Sequence, residues 1–312
     1  METIHRFLLN ARTRYYNFNN LNSKYKFDNR LQGKEKYLIV LAGYKQYLYS
    51  YVFSRLEKYL PNDIDVCIVS SGLYDEKLSS IAKNNQWSYL SVEKNKVAIA
   101  QNIAISLNEN AKYIYKMDED IFVTQNSFEK LYDTYIDVKN NGKTDIGFVA
   151  PIIPLNGFGF MKILEYYNLE KQYSEKFGRP IYSSRNEMPI ISNPETAKFF
   201  WGEGGYVPNL DQMNADFSLL PYNYSVCSIR FSIGFIMFDR ALWDAMDMFR
   251  QTLGSGIGND ETQICGFCIN SSKPIIVSGN CVVGHFSFGP QTKSMVDYLD
   301  SSSMDYYKQL RD

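Results

Sequence analysis

The chain has 312 residues, 45% hydrophobic and 15% aromatic, enough for the buried core of one large α/β domain or two ordinary ones. A formal net charge of -1, with no Lys/Arg block, gives no global field to draw nucleic acid, so none is expected as a partner. No segment approaches the roughly 20 apolar residues that span a bilayer, and residues 1–10 lack a signal-like apolar core, which makes a cytoplasmic protein the expectation.

Residues 1–36 are polar, rich in Asn and Tyr, and locally basic through Arg6, Arg12, Arg14, Lys24, Lys26 and Arg30. They read as an N-terminal extension, solvated and packed on the main domain, with peripheral contact to an anionic membrane face or a partner subunit as the other reading. Regular patterning then begins. Residues 37–41 read as a buried strand, and Leu48, Val52, Phe53, Leu56 and Leu60 mark one face of a helix. Strands at 65–69, 87–92 and 113–117 alternate with helices at 75–85 and 97–107. This alternation, with strands that are continuous apolar runs, predicts βαβ units and a parallel sheet flanked by helices. Such sheets bind ligands at the carboxyl ends of their strands. Ala42-Gly43-Tyr44, Ser70-Ser71-Gly72 and Asp118-Glu119-Asp120 all follow such ends.

In extended backbone, residues two apart point to one side, so Asp118 and Asp120 can converge on one ion while Glu119 faces away. Hard cations such as Mg2+ or Mn2+ take oxygen ligands and complete their shell with water and phosphate. An acidic turn facing solvent is the alternative for the tripeptide alone. Neither G-x-G-x-x-G nor a P-loop follows the first strand.

Beyond an apolar run at 147–154, residues 156–228 read as an irregular lobe on the acceptor side, dense in aromatics including Phe158, Tyr166, Phe199 and Trp201. A strand is expected at 231–238, a flexible loop at 254–258, a helix from about Asp260, and short strands at 275–277 and 281–283 before His285. Asp260 with Gln263 has the spacing of a helix capping box. Cys67, Cys227, Cys265, Cys268 and Cys281 fit reduced core thiols; the lone Cys265-x-x-Cys268 pair reads as an apolar helix face. Residues 291–312 read as a C-terminal helical tail.

Taken in order from about 37 to 289, these elements resemble the nucleotide-sugar-dependent glycosyltransferases of the GT-A type, closest in pattern to the family 2 inverting enzymes. The residues that carry the likeness are the first strand and loop, Ser70-Ser71-Gly72, the segment 93–102 leading into a helix, Asp118-Glu119-Asp120, Asn259-Asp260-Glu261 and the late His285. The second-strand turn departs from the Asp-Gly-Ser form common in that family. The resemblance implies a GT-A, Rossmann-like α/β domain at 37–290, with a nucleotide-sugar half at 37–125 and an acceptor half at 146–290. It implies a Mn2+ or Mg2+ ion at Asp120, with Asp118 near the ribose or the ion's water shell and His285 completing the shell. Ala42, Gly43, Tyr44, Ser71, Lys96, Asn102, Asp118 and Glu119 fall at donor positions, although Lys96 also reads as a solvated helix start. Asp260 matches the general base of an inverting transfer and Glu261 is the second choice. The expected donor is a nucleotide diphosphate sugar, most naturally a UDP-sugar giving a hexosyl or N-acetylhexosaminyl group. The expected acceptor is a glycan, free or lipid-linked, in cell-surface polysaccharide synthesis at the inner face of the membrane. A sugar nucleotidyltransferase and a non-catalytic glycan-binding protein are the alternatives; oligomeric state stays open.

Overall fold

A computed structural model describes residues 19–251, 259–301 and 304–309. The strands are β1 (Tyr25–Asp28), β2 (Lys36–Leu41), β3 (Ile64–Ser71), β4 (Ser88–Val92), β5 (Tyr113–Asp118), β6 (Ile121–Phe122), β7 (Phe148–Ile152), β8 (Tyr224–Cys227), β9 (Phe235–Asp239), β10 (Ile275–Val282) and β11 (Gly284–His285). The helices are α1 (Tyr49–Tyr59), α2 (Glu76–Asn84), α3 (Val97–Leu107), α4 (Ser127–Asn141), α5 (Gly159–Tyr167), α6 (Glu170–Phe177), α7 (Pro189–Ser192), α8 (Pro194–Phe200), α9 (Leu210–Ser218), α10 (Arg240–Ala245), α11 (Asp260–Asn270), α12 (Thr292–Tyr298) and α13 (Asp305–Gln309). Among the described residues no helix is long and apolar enough to cross a membrane.

The chain divides into two compact units. The first comprises Met1–Tyr44, Asn62–Met117 and Phe238–Asn270. Its strands lie in the order β1-β4-β3-β2-β5. β2, β3 and β4 pair in parallel, as the alternation of strands and helices predicts, and all eight residues of β3 are buried. α3 covers β2, β3 and β4 with Ile99, Ile103 and their neighbours. β1, from the segment expected to be an extension, adds an antiparallel edge to β4. The 254–258 loop expected before α11 lies outside the described residues.

The second unit comprises Lys45–Pro61, Asp118–Met237 and Ser271–Asp312. β10 pairs with β7 in parallel and with β8 antiparallel. α4 and α9 pack on β10. Two expectations are corrected here. Residues 156–228 are mainly helical, with five short helices from α5 to α9 whose Phe160, Tyr173, Phe199 and Phe200 pack ring to ring. The two short strands expected at 275–277 and 281–283 join as one strand, β10, whose pairing with β7 shifts register between Ser278 and Val282. The polar Ser278-Gly279-Asn280 segment hides that continuity from a hydrophobic pattern, yet all of β10 is buried. Asn280 accounts for this by donating to the Leu220 carbonyl at 2.7 Å and accepting from the Asn223 amide at 3.0 Å.

Candidate functional site

In the second unit, the acidic tripeptide turns the chain from the last residue of β5, Asp118, into β6. β6 pairs antiparallel with β11, setting His285 opposite Ile121 and Gly284 opposite Phe122. The Phe286 amide donates to the Asp120 carbonyl at 2.9 Å, so His285 is fixed beside Asp120 by backbone alone. Phe122 holds the turn from below, with the rings of Trp201, Tyr307 and Phe286 at 5.0, 6.0 and 6.4 Å. Gly284 permits this packing: a Cβ there would stand 2.9 Å from both Trp201 and Leu210.

The Asp120 side chain is only 3% exposed, and its Oδ2 takes two partners. One is His285 Nε2 at 3.3 Å; the other is the ammonium of Lys45. The other ring nitrogen of His285, Nδ1, lies 3.3 Å from the Leu155 carbonyl. Burial pushes the Asp120 carboxyl upward, but the imidazole and the ammonium outweigh it and hold the group well below the usual carboxylate range. Burial works to lower the Lys45 ammonium, yet Asp120 and then Asp118 more than compensate and raise it. One lysine therefore serves both outer carboxylates of the motif. Glu119 is buried, and it and Asp120 both act on Tyr47, whose hydroxyl is raised first by burial.

The arrangement around Asp120 does not fit the Mn2+ or Mg2+ site expected from Asp118, Asp120 and His285, although the residue types would. The Asp120 oxygen is occupied by an ammonium, and the Nε2 of His285 is turned on that same oxygen. Among the described residues no group of three His, Cys, Asp or Glu side chains is placed to hold a metal ion. Lys45 is the residue that sequence reasoning missed. Its signal was present: a lysine four residues past the end of the first parallel strand belongs to the loops that line such ligand sites.

In the first unit, Ala42 is buried and its amide donates to the Val69 carbonyl at 2.9 Å. Gly43 has φ 145°, and Tyr44 is 57% exposed with its hydroxyl donating to the Ser71 carbonyl at 2.5 Å. The Ser71 hydroxyl donates to the Lys94 carbonyl at 3.1 Å. The loops after β2 and β3 are thus tied together. Lys96 caps α3 through backbone geometry, with no side-chain capping bond. Asn102 requires a correction. It is fully buried, donates to the Phe249 and Asn20 carbonyls, and accepts from the Trp243 indole and the Phe249 amide, so its amide is spent on packing and leaves nothing for a donor.

Asp260 opens α11, half-buried, and accepts a 2.7 Å hydrogen bond from the Nε2 of buried Gln101. Among the described residues the Oε1 of Gln101 has no hydrogen-bond partner. The capping-box expectation is corrected: Gln263 sends its side chain elsewhere, accepting from the Arg250 amide at 2.7 Å and donating to the Met248 carbonyl at 2.8 Å. Glu261 is the next residue of the helix and is also half-buried. Cys265 and Cys268 are buried on that helix and form no disulfide among the described residues, as expected of core thiols, and His5 lies outside the described residues.

No protein-family model matches the sequence, and no curated protein matches it. Several solved structures do. A crystal structure of GalNAc-T7 with UDP, GalNAc and Mn2+ aligns at a TM-score of 0.47 and 11% identity, covering 89% of this chain and 50% of that one. The mannosyltransferase PcManGT from Pyrobaculum calidifontis, in complex with GDP-Man and Mn2+, aligns at 0.45 and 11%, covering 97% and 73%. S. aureus TarS aligns at 0.44 and 13%, covering 88% and 42%. The chain thus spans half the length of the GalNAc-T7 chain and less of TarS. Identities this low leave the site to be read from this chain's own residues.

Proposed function

We propose that the chain is a nucleotide-sugar-dependent glycosyltransferase of the GT-A type, moving a sugar from a nucleotide diphosphate donor to a glycan acceptor. The observation that carries the reading is the buried assembly of Lys45, Asp120 and His285 at the carboxyl end of β5, in a chain whose β2, β3 and β4 are parallel. A buried carboxylate that fixes a lysine there is suited to an anionic ligand, because the ammonium is held in place before the ligand arrives. The resemblance extends the reading to a UDP-sugar donor, a hexosyl or N-acetylhexosaminyl group, and cell-surface polysaccharide as product.

In the transfer, the bond between the anomeric carbon and the diphosphate oxygen breaks, and its electron pair leaves with the diphosphate. The acceptor hydroxyl oxygen forms the new bond, and its proton passes to a carboxylate, for which Asp260 is proposed. Attack opposite the leaving group inverts the anomeric centre. Gln101 supports this role by orienting the Asp260 carboxylate through a neutral donor. No step is assigned to a metal, because the Asp120 oxygen is already held by the Lys45 ammonium.

A thermal-shift screen of UDP- and GDP-sugars against the full chain tests the reading, because a ligand that binds only the folded state raises the unfolding temperature. One donor should stabilise the wild type and not Asp120→Asn. If no nucleotide sugar shifts the wild type, the transferase reading fails.

A further inference from the structure

We propose that Lys45 supplies the positive charge that a divalent ion would bring to the diphosphate, so that this chain binds its nucleotide without added metal. The proposal rests on the transferase reading above and adds a residue and a cation to it. Three observations converge. The ammonium sits on the Oδ2 of Asp120 and is within electrostatic reach of Asp118 as well. His285 closes on the same oxygen from another side, at 3.3 Å, with its second nitrogen facing the Leu155 carbonyl at 3.3 Å. Among the described residues no third His, Cys, Asp or Glu joins them at metal-binding distance.

A metal on that oxygen would stand against the ammonium, and two positive charges at contact distance in a largely buried site repel strongly. Admitting it requires expelling a lysine that is itself largely buried, with 29% side-chain exposure. The ammonium needs no such rearrangement to bind an anion. It carries three N–H donors, and the bond to Asp120 uses one of them. The remaining donors and the exposed part of the side chain are available to phosphate oxygens, which lysine binds as a point charge. Negative charge that grows on the departing diphosphate would then meet a cation already fixed by a buried carboxylate, with no reorganisation needed as the bond breaks. Lys45 makes no covalent bond in this account.

Isothermal titration of UDP and of GDP into the full chain, once in EDTA and once with excess MnCl2, tests the proposal. One of the two nucleotides should bind in EDTA, with an affinity that Mn2+ changes by less than about threefold. Lys45→Met should weaken that binding by about tenfold or more, the scale of one lost charge-assisted contact. Lys45→Arg, which keeps a cation, should retain most of it. Because Lys45→Met leaves a buried carboxylate with one partner fewer, Lys45→Met/Asp120→Asn is titrated beside it; that protein lacks the uncompensated charge and should be as weak. Binding that appears only with Mn2+, or binding in EDTA that Lys45→Met leaves unchanged, overturns the role of Lys45 while the transferase reading stands. Failure of both nucleotides to bind the wild type in either buffer overturns the transferase reading and this proposal with it.

Discussion

Two carboxylates, one at the end of a turn and one at the start of a helix, are handled in opposite ways. Asp120 in the second unit is 3% exposed and shares one oxygen between an ammonium and an imidazole. Asp260 in the first unit is half-buried and receives a neutral amide from Gln101 at 2.7 Å. The first environment opposes protonation: a carboxylate that neutralises a cation is held ionised and makes a poor proton acceptor. The second fixes orientation without cancelling the charge, which is what a base needs when a proton is to arrive. The proposed division, charge-holding by Asp120 and proton removal by Asp260, follows this contrast, and each half can be broken separately.

The largest effect is expected from removing what supports the Asp120 turn. Phe122 is fully buried against Trp201, Phe286 and Tyr307. Phe122→Ala should therefore lower stability by about 4 kcal/mol, read from the urea unfolding midpoint, through lost burial and the cavity left behind. A loss below about 1 kcal/mol would mean the turn does not depend on that packing.

Asp120→Asn comes next. It keeps the shape and removes the charge that Lys45 and His285 face, and should cost about 3 kcal/mol near neutral pH, as for a buried pair that loses one partner. The pH dependence follows from the lowered folded-state value of Asp120. A depressed carboxyl contributes stability that is fully present above its unfolded value, about 3.9, and is lost as pH falls from there toward the folded value. The difference between wild type and Asp120→Asn in urea midpoints should hold steady above about pH 5 and shrink below about pH 4. A difference that instead grows on acidification would contradict the pairing.

Gln263→Ala, on the Asp260 side, should have the smallest effect. It deletes two hydrogen bonds to the backbone of Met248 and Arg250, worth about 1–2 kcal/mol together, and leaves the bond between Gln101 and Asp260 in place. Circular dichroism melts would detect the loss.

The same contrast marks what the sequence discloses. β2, β3, α3 and β5 were legible because buried parallel strands are unbroken apolar runs and α3 repeats its apolar residues at helical spacing. The lobe at 156–228 was not legible as helical: its five helices run only 4 to 9 residues, and Pro and Gly between them mask the period. α4 was missed altogether, though Phe128, Leu131, Tyr135 and Val138 form its buried face. At the site, Asp118-Glu119-Asp120 and His285 stood out as residue types in a known order, and β6 and β11 bring Asp120 and His285 together. Lys45 was legible only as a lysine in the loop after the first parallel strand; its pairing with Asp120, 75 residues along the chain, is a contact that no local pattern encodes. Asn102 misled for the converse reason: it ends the segment 93–102 that carries the family likeness, yet it lies in the middle of α3 and its four hydrogen bonds are spent inside the core.

The most direct test of the division of labour is release of nucleoside diphosphate from the donor found in the screen, by wild type and by Asp260→Asn, with donor affinity measured on the same samples. Wild type should release it, with water taking the acceptor's place when no glycan is present. Asp260→Asn should be slower by about a hundredfold or more, the contribution typical of a general base, with donor affinity unchanged within about twofold. No release by a wild type that binds the donor, or a collapse of donor affinity in Asp260→Asn, would contradict the account.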